Sequence, residues 1–109
     1  WIYKMDIRRI KEIVIQYRAL LIKAGIQPDV FILFGSHAKG TANKHSDIDL
    51  AVVSHKFRKG SQISIKLNRI AFQMEAPLEV IPITYSEYMK NETTSPILDE
   101  IFKTGIVLF

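Results

Sequence analysis

The chain contains no cysteine, and this absence excludes several kinds of chemistry. Without thiols there is no disulfide framework, no zinc site built on thiolates and no cysteine nucleophile. A chain without disulfides fits a reducing compartment, so we expect a cytoplasmic location. Functions that depend on a thiol are therefore excluded from the start.

Long apolar runs are also missing from the sequence. No apolar stretch approaches the roughly 18 residues that a bilayer-spanning helix needs, so we expect no membrane association. The opening residues, 1–4, lack the basic start and the long apolar stretch of a signal peptide. They also lack an initiator methionine, and Met5 is the expected natural start.

The chain does have a moderate share of apolar residues and a small excess of basic residues. Its 109 residues predict one domain, 1–109, and 48% of them are apolar, enough for a core. The formal net charge is 15 − 11 = +4. This excess suits a nucleotide, a nucleic acid or an acidic partner, and it equally suits a solvated basic surface. Charge alone does not choose among these.

Helical and strand patterns alternate along the chain. Helical spacing predicts helices over 6–24, Ser36 to Lys39, 61–75, a short stretch from Thr84, and a segment from Ser95 to Gly105. Apolar runs between turn signals predict strands over 30–34, 48–53, 78–83 and 106–109. The order indicates an α/β (α+β) fold, in which helices flank a small mixed sheet.

The junction between the first predicted strand and the short helix is the first candidate site. The apolar strand ends at Gly35, and Ser36 opens the helix. Unpaired N–H groups at a helix start bind phosphate, and the Ser36 hydroxyl adds a donor. Gly35 would let phosphates approach the backbone closely. The alternative is an ordinary strand-to-helix turn with a capping residue.

Two aspartates at the head of the second predicted strand form the next candidate. Asp47 and Asp49 are two residues apart, so strand alternation places both on one face. Neighbouring carboxylates repel each other unless a cation lies between them, and such oxygen ligands favour Mg²⁺. Taken alone, Asp47 also fits a capping or turn role. An unpaired Asp49 inside an apolar strand would be costly, which favours a ligand role for the pair.

Glu79 is a candidate third carboxylate, because it is one acid in an otherwise apolar strand. If that strand lies beside the Asp47-x-Asp49 strand, three acids could hold two metal ions about 4 Å apart. The competing interpretations are a surface acid on an edge strand and a third-ligand role for Glu75 instead.

Together these pieces resemble the motif of the DNA polymerase β-like nucleotidyltransferase superfamily. The Gly35-Ser36 and Asp47-x-Asp49 pairs, separated by a short helix and a loop, are similar to its signature run. The chain looks most like the minimal form, the MNT proteins. Glu79 stands where that family has its third carboxylate, and residues 95–109 resemble its ending. The resemblance covers nearly the whole chain and implies the polymerase β-like nucleotidyltransferase fold.

This sequence departs from the family pattern at two places. The third carboxylate is usually aspartate, and Glu79 is one methylene longer. His37 and Lys39 stand where arginines are common. Lys39 can contact phosphate as a point charge, whereas His37 is charged only when protonated. The expected nucleotide-binding residues are Gly35, Ser36, His37, Lys39 and Ser46.

The resemblance implies Mg²⁺-dependent transfer of AMP from ATP to a hydroxyl group, with pyrophosphate leaving. Asp47 and Asp49 would bridge two Mg²⁺ ions, and Glu79 would orient or deprotonate the acceptor hydroxyl. Ser36 and nearby N–H groups would hold the β- and γ-phosphates. Minimal members commonly pair with a HEPN protein, a helical RNase toxin, and act as its antitoxin by adenylylating one of its tyrosines. We therefore expect ATP and a HEPN-type toxin as partners.

Two alternatives remain open at this stage. The protein could neutralise its partner by occlusion, with a catalytically weak site. It could also transfer nucleotides to a small molecule or a nucleic acid, but only 26 residues (109 − 83) follow Ile83. That length is too short for an acceptor domain, so a second polypeptide or an oligomer is expected to complete the site. Nucleic acid is not an expected partner.

Overall fold

The computed structural model describes residues 6–91 and 95–109, so the expected start at Met5 lies outside the described residues. The helices are α1 Ile7–Lys23, α2 Gly35–Lys39, α3 Ile63–Ala71, α4 Tyr85–Lys90 and α5 Pro96–Thr104. The strands are β1 Val30–Phe34, β2 Ile48–Ser54, β3 Leu78–Thr84 and β4 Ile106–Val107. In these two described ranges, no helix is both long and apolar enough to cross a bilayer.

The strands form one sheet in the order β3-β2-β1-β4. β1 runs antiparallel to both β2 and β4, whereas β2 and β3 are parallel. The predicted mixed sheet and the α+β class are therefore confirmed. The parallel pairing matters for the site, because it brings the N-terminal ends of β2 and β3 side by side at one end of the sheet.

Each face of the sheet carries its own apolar layer, as strand alternation requires. Leu33 and Leu50 point to one face, where they pack with α1 and α3 in the larger core cluster. Ile32 and Ala51 point to the other face and pack with Leu98 of α5 and its neighbours. Burying such aliphatic side chains contributes about 1.5–3 kcal/mol each, so both layers stabilise the sheet.

Polar contacts join α3 to α1 and to strand β3 in the first layer. The Tyr17 hydroxyl of α1 donates a hydrogen bond to the Leu67 carbonyl of α3 at 2.8 Å, and burial raises the pKa of Tyr17. Asn68 of α3 pairs with the backbone of edge strand β3. Its Nδ2 donates to the Val80 carbonyl at 2.8 Å, and its Oδ1 accepts from the Val80 N–H at 2.9 Å. Asn68 thus occupies the place that another strand would take.

Most element boundaries agree with the prediction to within one residue, and the larger differences are at α3 and β4. The helix predicted over 61–75 spans only Ile63–Ala71, because Gln73 and Met74 donate to carbonyls three residues back and tighten the last turn. The final strand is regular only over Ile106–Val107. The predicted capping box at Thr84 is present, and Ser95 caps α5 by accepting from the Leu98 N–H.

Candidate active site

Gly35 lies where β1 ends and α2 begins, and its position requires glycine for two reasons. Its φ is +72°, in the left-handed region that side chains disfavour. A Cβ added there would also overlap the carboxylate of Asp49, which lies directly against the glycine. The turn and the acid are therefore packed as one unit. Ser36 follows in the first turn of α2 and is half-buried.

Strand pairing brings the predicted acids to one place. Asp49 of β2 is the direct register partner of Glu79 in β3, and Asp47 precedes β2 by one residue. Asp49 lies in phase with Ala51, on the α5 face of the sheet, while Ile48 and Leu50 are fully buried on the opposite face. Strands β2 and β3 are adjacent, which is the condition under which Glu79 was a candidate third carboxylate.

Electrostatics at Asp49 reflect this crowding. The pKa of Asp49 rises to about 6, first because burial disfavours its charged form. The charges of Glu79, Asp47 and Glu100 raise the pKa further, in that order, and His37 opposes them. The charges of three acids thus act on Asp49, and one histidine is a nearby counter-charge.

Glu100 of α5 is a neighbour of the site that sequence reasoning missed. Its charge acts on Asp49, and its Oε1 forms an ion pair with Lys39 Nζ at 2.7 Å. The contact ties α2 to α5 and engages the lysine expected to contact phosphate. No sequence signal singles out Glu100, because its place here depends on how α5 crosses the sheet.

His37 and Ser46 lie beside the site, but they mainly order the loop between α2 and β2. His37 Nε2 lies 3.4 Å from the Ser46 carbonyl oxygen. The Ser46 hydroxyl accepts a hydrogen bond from the Asn43 N–H at 2.9 Å. Both residues therefore help to hold the segment that leads into Asp47. Their expected role in nucleotide binding stays a prediction.

The donor set fits a hard divalent cation in its chemistry. Asp47, Asp49 and Glu79 supply only carboxylate oxygens, and within the described ranges none of them forms an ion pair. The mutual repulsion at Asp49 is what a bound cation would relieve. Across residues 6–91 and 95–109, however, no three acids or histidines are gathered closely enough to form a finished metal site. The side chains of Asp47, Asp49 and Glu79 would have to rotate toward one another to form a metal site.

Two solved structures share the fold of this chain. A proposed nucleotidyltransferase from Sulfolobus solfataricus matches with a TM-score of 0.58 and 19% identity, over 90% of this chain and 74% of that one. A toxin–antitoxin structure with AMP-PNP matches with a TM-score of 0.61 and 21% identity, over 91% of this chain and 72% of that one. No curated protein matches at a significant level.

The family assignment comes from the sequence. Residues 9–109 match the family described as "Polymerase beta, Nucleotidyltransferase", which is nearly the whole chain. The matched region includes the Gly35-Ser36 turn and the acids at the head of β2. The chain therefore belongs to the polymerase β nucleotidyltransferase family.

Proposed function

We propose that this protein transfers AMP from ATP, with Mg²⁺, to a tyrosine hydroxyl of a HEPN-type toxin and so acts as its antitoxin. The observation that carries the proposal is the packing of Asp49 against Gly35 and opposite Glu79. Asp49 and Glu79 thus lie beside the Gly-Ser turn, and the triphosphate and the acceptor would meet there.

Asp47, Asp49 and Glu79 would hold the metal. Bound Mg²⁺ would neutralise the triphosphate and favour ionisation of the acceptor hydroxyl. With a pKa of about 6, Asp49 is mostly ionised at neutral pH and able to act as a ligand. Ser36, in the first turn of α2, would donate its hydroxyl to the β- or γ-phosphate.

Glu79 would take up the proton of the acceptor. It is exposed at the edge of the sheet, beside Asp49, so an incoming side chain can reach it. In the reaction the acceptor oxygen bonds to the α-phosphorus, the bond from the α-phosphorus to the bridging oxygen breaks, and pyrophosphate leaves. Glu79 would accept the hydroxyl proton.

The partner is supported by two observations of different kinds. The motif resembles that of minimal nucleotidyltransferases that act as antitoxins of HEPN proteins. In addition, a toxin–antitoxin structure with AMP-PNP shares the fold. The described residues leave Glu79 open at the sheet edge, which fits an acceptor supplied by a second polypeptide.

Incubation with the product of the neighbouring gene and ATP labelled on its α-phosphate tests this function. We expect Mg²⁺-dependent labelling of a partner tyrosine by the wild type and none by Asp49→Ala. Glu12→Ala is the matched control, because Glu12 is an exposed acid of α1 paired with Arg9. The proposal fails if the wild type and Asp49→Ala are equally silent.

Neutralisation by occlusion is the second candidate, favoured by the longer acid at position 79 and by the incomplete gathering of the acids. A cell-growth assay with the co-expressed toxin separates the two. If Asp47→Ala and Asp49→Ala still neutralise the toxin as well as the wild type does, occlusion suffices. If both lose neutralisation while remaining folded, transfer is required.

A further inference from the structure

A second concave surface lies at the opposite end of the sheet. The loop between β2 and α3, with the first turn of α3, borders an open concavity of about 330 Å³. Its floor is apolar, formed by Phe57 and Ile63, and its rim carries Lys56, Arg58 and Lys66. We call this surface the basic pocket. Ser54 follows Asp49 by five residues along β2, which is roughly 17 Å, so the basic pocket is separate from the acidic site.

The rim cations have no acidic partner in the structure. Within residues 6–91 and 95–109, none of Lys56, Arg58 and Lys66 forms an ion pair. One acid, Glu87, borders the adjoining concavity together with Arg58 and Lys59, and its Oε1 accepts a hydrogen bond from the Thr84 N–H at 2.9 Å. Its single negative charge offsets only part of the charge of these cations, so the surface keeps a net positive charge.

The floor has a different chemical character from the rim. Phe57 is only 6% exposed and belongs to the core cluster of α1 and α3, so it is held firmly and only a small edge of it reaches the pocket. Ile63, at the start of α3, is half-buried beside it. A ligand that matches both parts must bring an apolar group for the floor and negative charge for the rim.

We propose that the basic pocket docks an acidic segment of a partner protein and takes one apolar side chain of that segment into its cavity. A nucleic acid fits less well, because stacking on bases needs an exposed aromatic face, and the one aromatic residue that lines the pocket, Phe57, is nearly buried. The proposal rests on the proposed function only in that both require a protein partner.

Amide chemical shifts of the ¹⁵N-labelled protein, free of nucleotide and Mg²⁺, provide the test. The probe is a short synthetic peptide with carboxylates around a central phenylalanine. The comparison ligands are the same peptide with alanine for phenylalanine, one with lysines for its acids, and a short single-stranded RNA. We expect saturable shifts confined to residues 56–66 with the acidic phenylalanine peptide, and weaker binding of the other three.

Charge-reversal variants make the test specific. Lys56→Glu with Lys66→Glu should weaken binding of the acidic peptide about tenfold. Lys11→Glu with Lys23→Glu, on exposed positions of α1, changes the net charge equally and should leave the affinity unchanged. Equal losses in both variants, shifts outside residues 56–66, or tighter binding of the RNA at this surface would each overturn the proposal. Because the assay contains no ATP, its result is independent of whether transfer occurs.

Discussion

The two ends of the sheet carry opposite charge, and both are built on strand β2. At its start, Asp49 meets Glu79 and the neighbouring acids. Beyond its end, Lys56 and Arg58 meet Lys66 around the basic pocket. At the acidic end the neighbouring charges raise the pKa of Asp49. The contrast fits the proposed roles, in which the acidic end would hold cations and the basic end would dock an anionic segment of a partner.

The two ends also differ in how firmly they are built. Asp49 and Glu79 belong to paired strands, and the Gly35 turn is packed against Asp49. Lys56 and Arg58 lie on a loop, and their side chains are exposed. Chemistry requires fixed geometry, whereas docking tolerates adjustment.

Replacing Gly35 with alanine should have the largest effect on stability. The substitution adds left-handed backbone strain and drives a Cβ into the carboxylate of Asp49. We expect a loss of about 3 kcal/mol in the free energy of unfolding, measured by urea denaturation. Gly60→Ala, near the basic pocket, is the matched control, since its φ is +80° but its added Cβ meets open space.

Gly60→Ala should cost only about 1 kcal/mol, the backbone strain alone. Equal losses at Gly35 and Gly60 would contradict the tight packing of the turn against Asp49. In that case the acidic end would be no more rigid than the loop at the opposite end.

Asn68→Ala should destabilise the edge that carries Glu79. The substitution removes two hydrogen bonds to Val80 and leaves the N–H and C=O of β3 without their side-chain partner. We expect a loss of about 2 kcal/mol in thermal or urea unfolding. Gln73→Ala replaces an exposed amide nearby and should change stability by less than about 0.5 kcal/mol. If Asn68→Ala leaves the free energy of unfolding unchanged, β3 does not depend on this contact.

Charge reversal at the basic pocket should affect the proposed transfer only through the partner. Lys56→Glu with Lys66→Glu is expected to raise the KM for the protein acceptor about tenfold and to leave kcat unchanged. Asp49→Ala, by contrast, should abolish kcat. Initial rates of AMP incorporation over a range of acceptor concentrations measure both. A fall in kcat in the lysine variant would break the separation between the two ends.

The sequence predicted the strands and the acidic motif because both depend on local patterns. Apolar runs between turns located β1 and β2, and the spacing of Asp47 and Asp49 placed both acids at the head of a strand. The adjacency of Asp49 and Glu79 could be given only as a condition, since strand order depends on tertiary packing. The structure supplies the parallel pairing that meets this condition.

Other features were beyond sequence reasoning because they join distant segments. Glu100 meets Lys39 across 61 residues, and Asn68 meets Val80 by crossing from a helix to an edge strand. Neither residue stands in a distinctive local pattern. The basic loop from Lys56 was visible as a charge run, but such runs are usually only solvated. Its apolar floor could not be predicted, because it depends on the fold that brings Phe57 and Ile63 to the same concavity.

Asp49→Asn should stabilise the protein, in a way that depends on pH. The folded-state pKa of Asp49 is raised to about 6, so the folded protein binds this proton more tightly than the unfolded chain does. The ionised carboxyl therefore lowers stability, with a penalty that grows between about pH 4 and pH 6 and is complete above that range. Because the group is partly exposed and screened by solvent, we expect only about 1 kcal/mol. In urea denaturation without Mg²⁺, the free energy of unfolding of Asp49→Asn should be higher than that of the wild type by this amount at pH 8. Near pH 4 the two free energies should be equal. A difference that is the same at both pH values would mean that the crowding of acids at this end does not destabilise the fold.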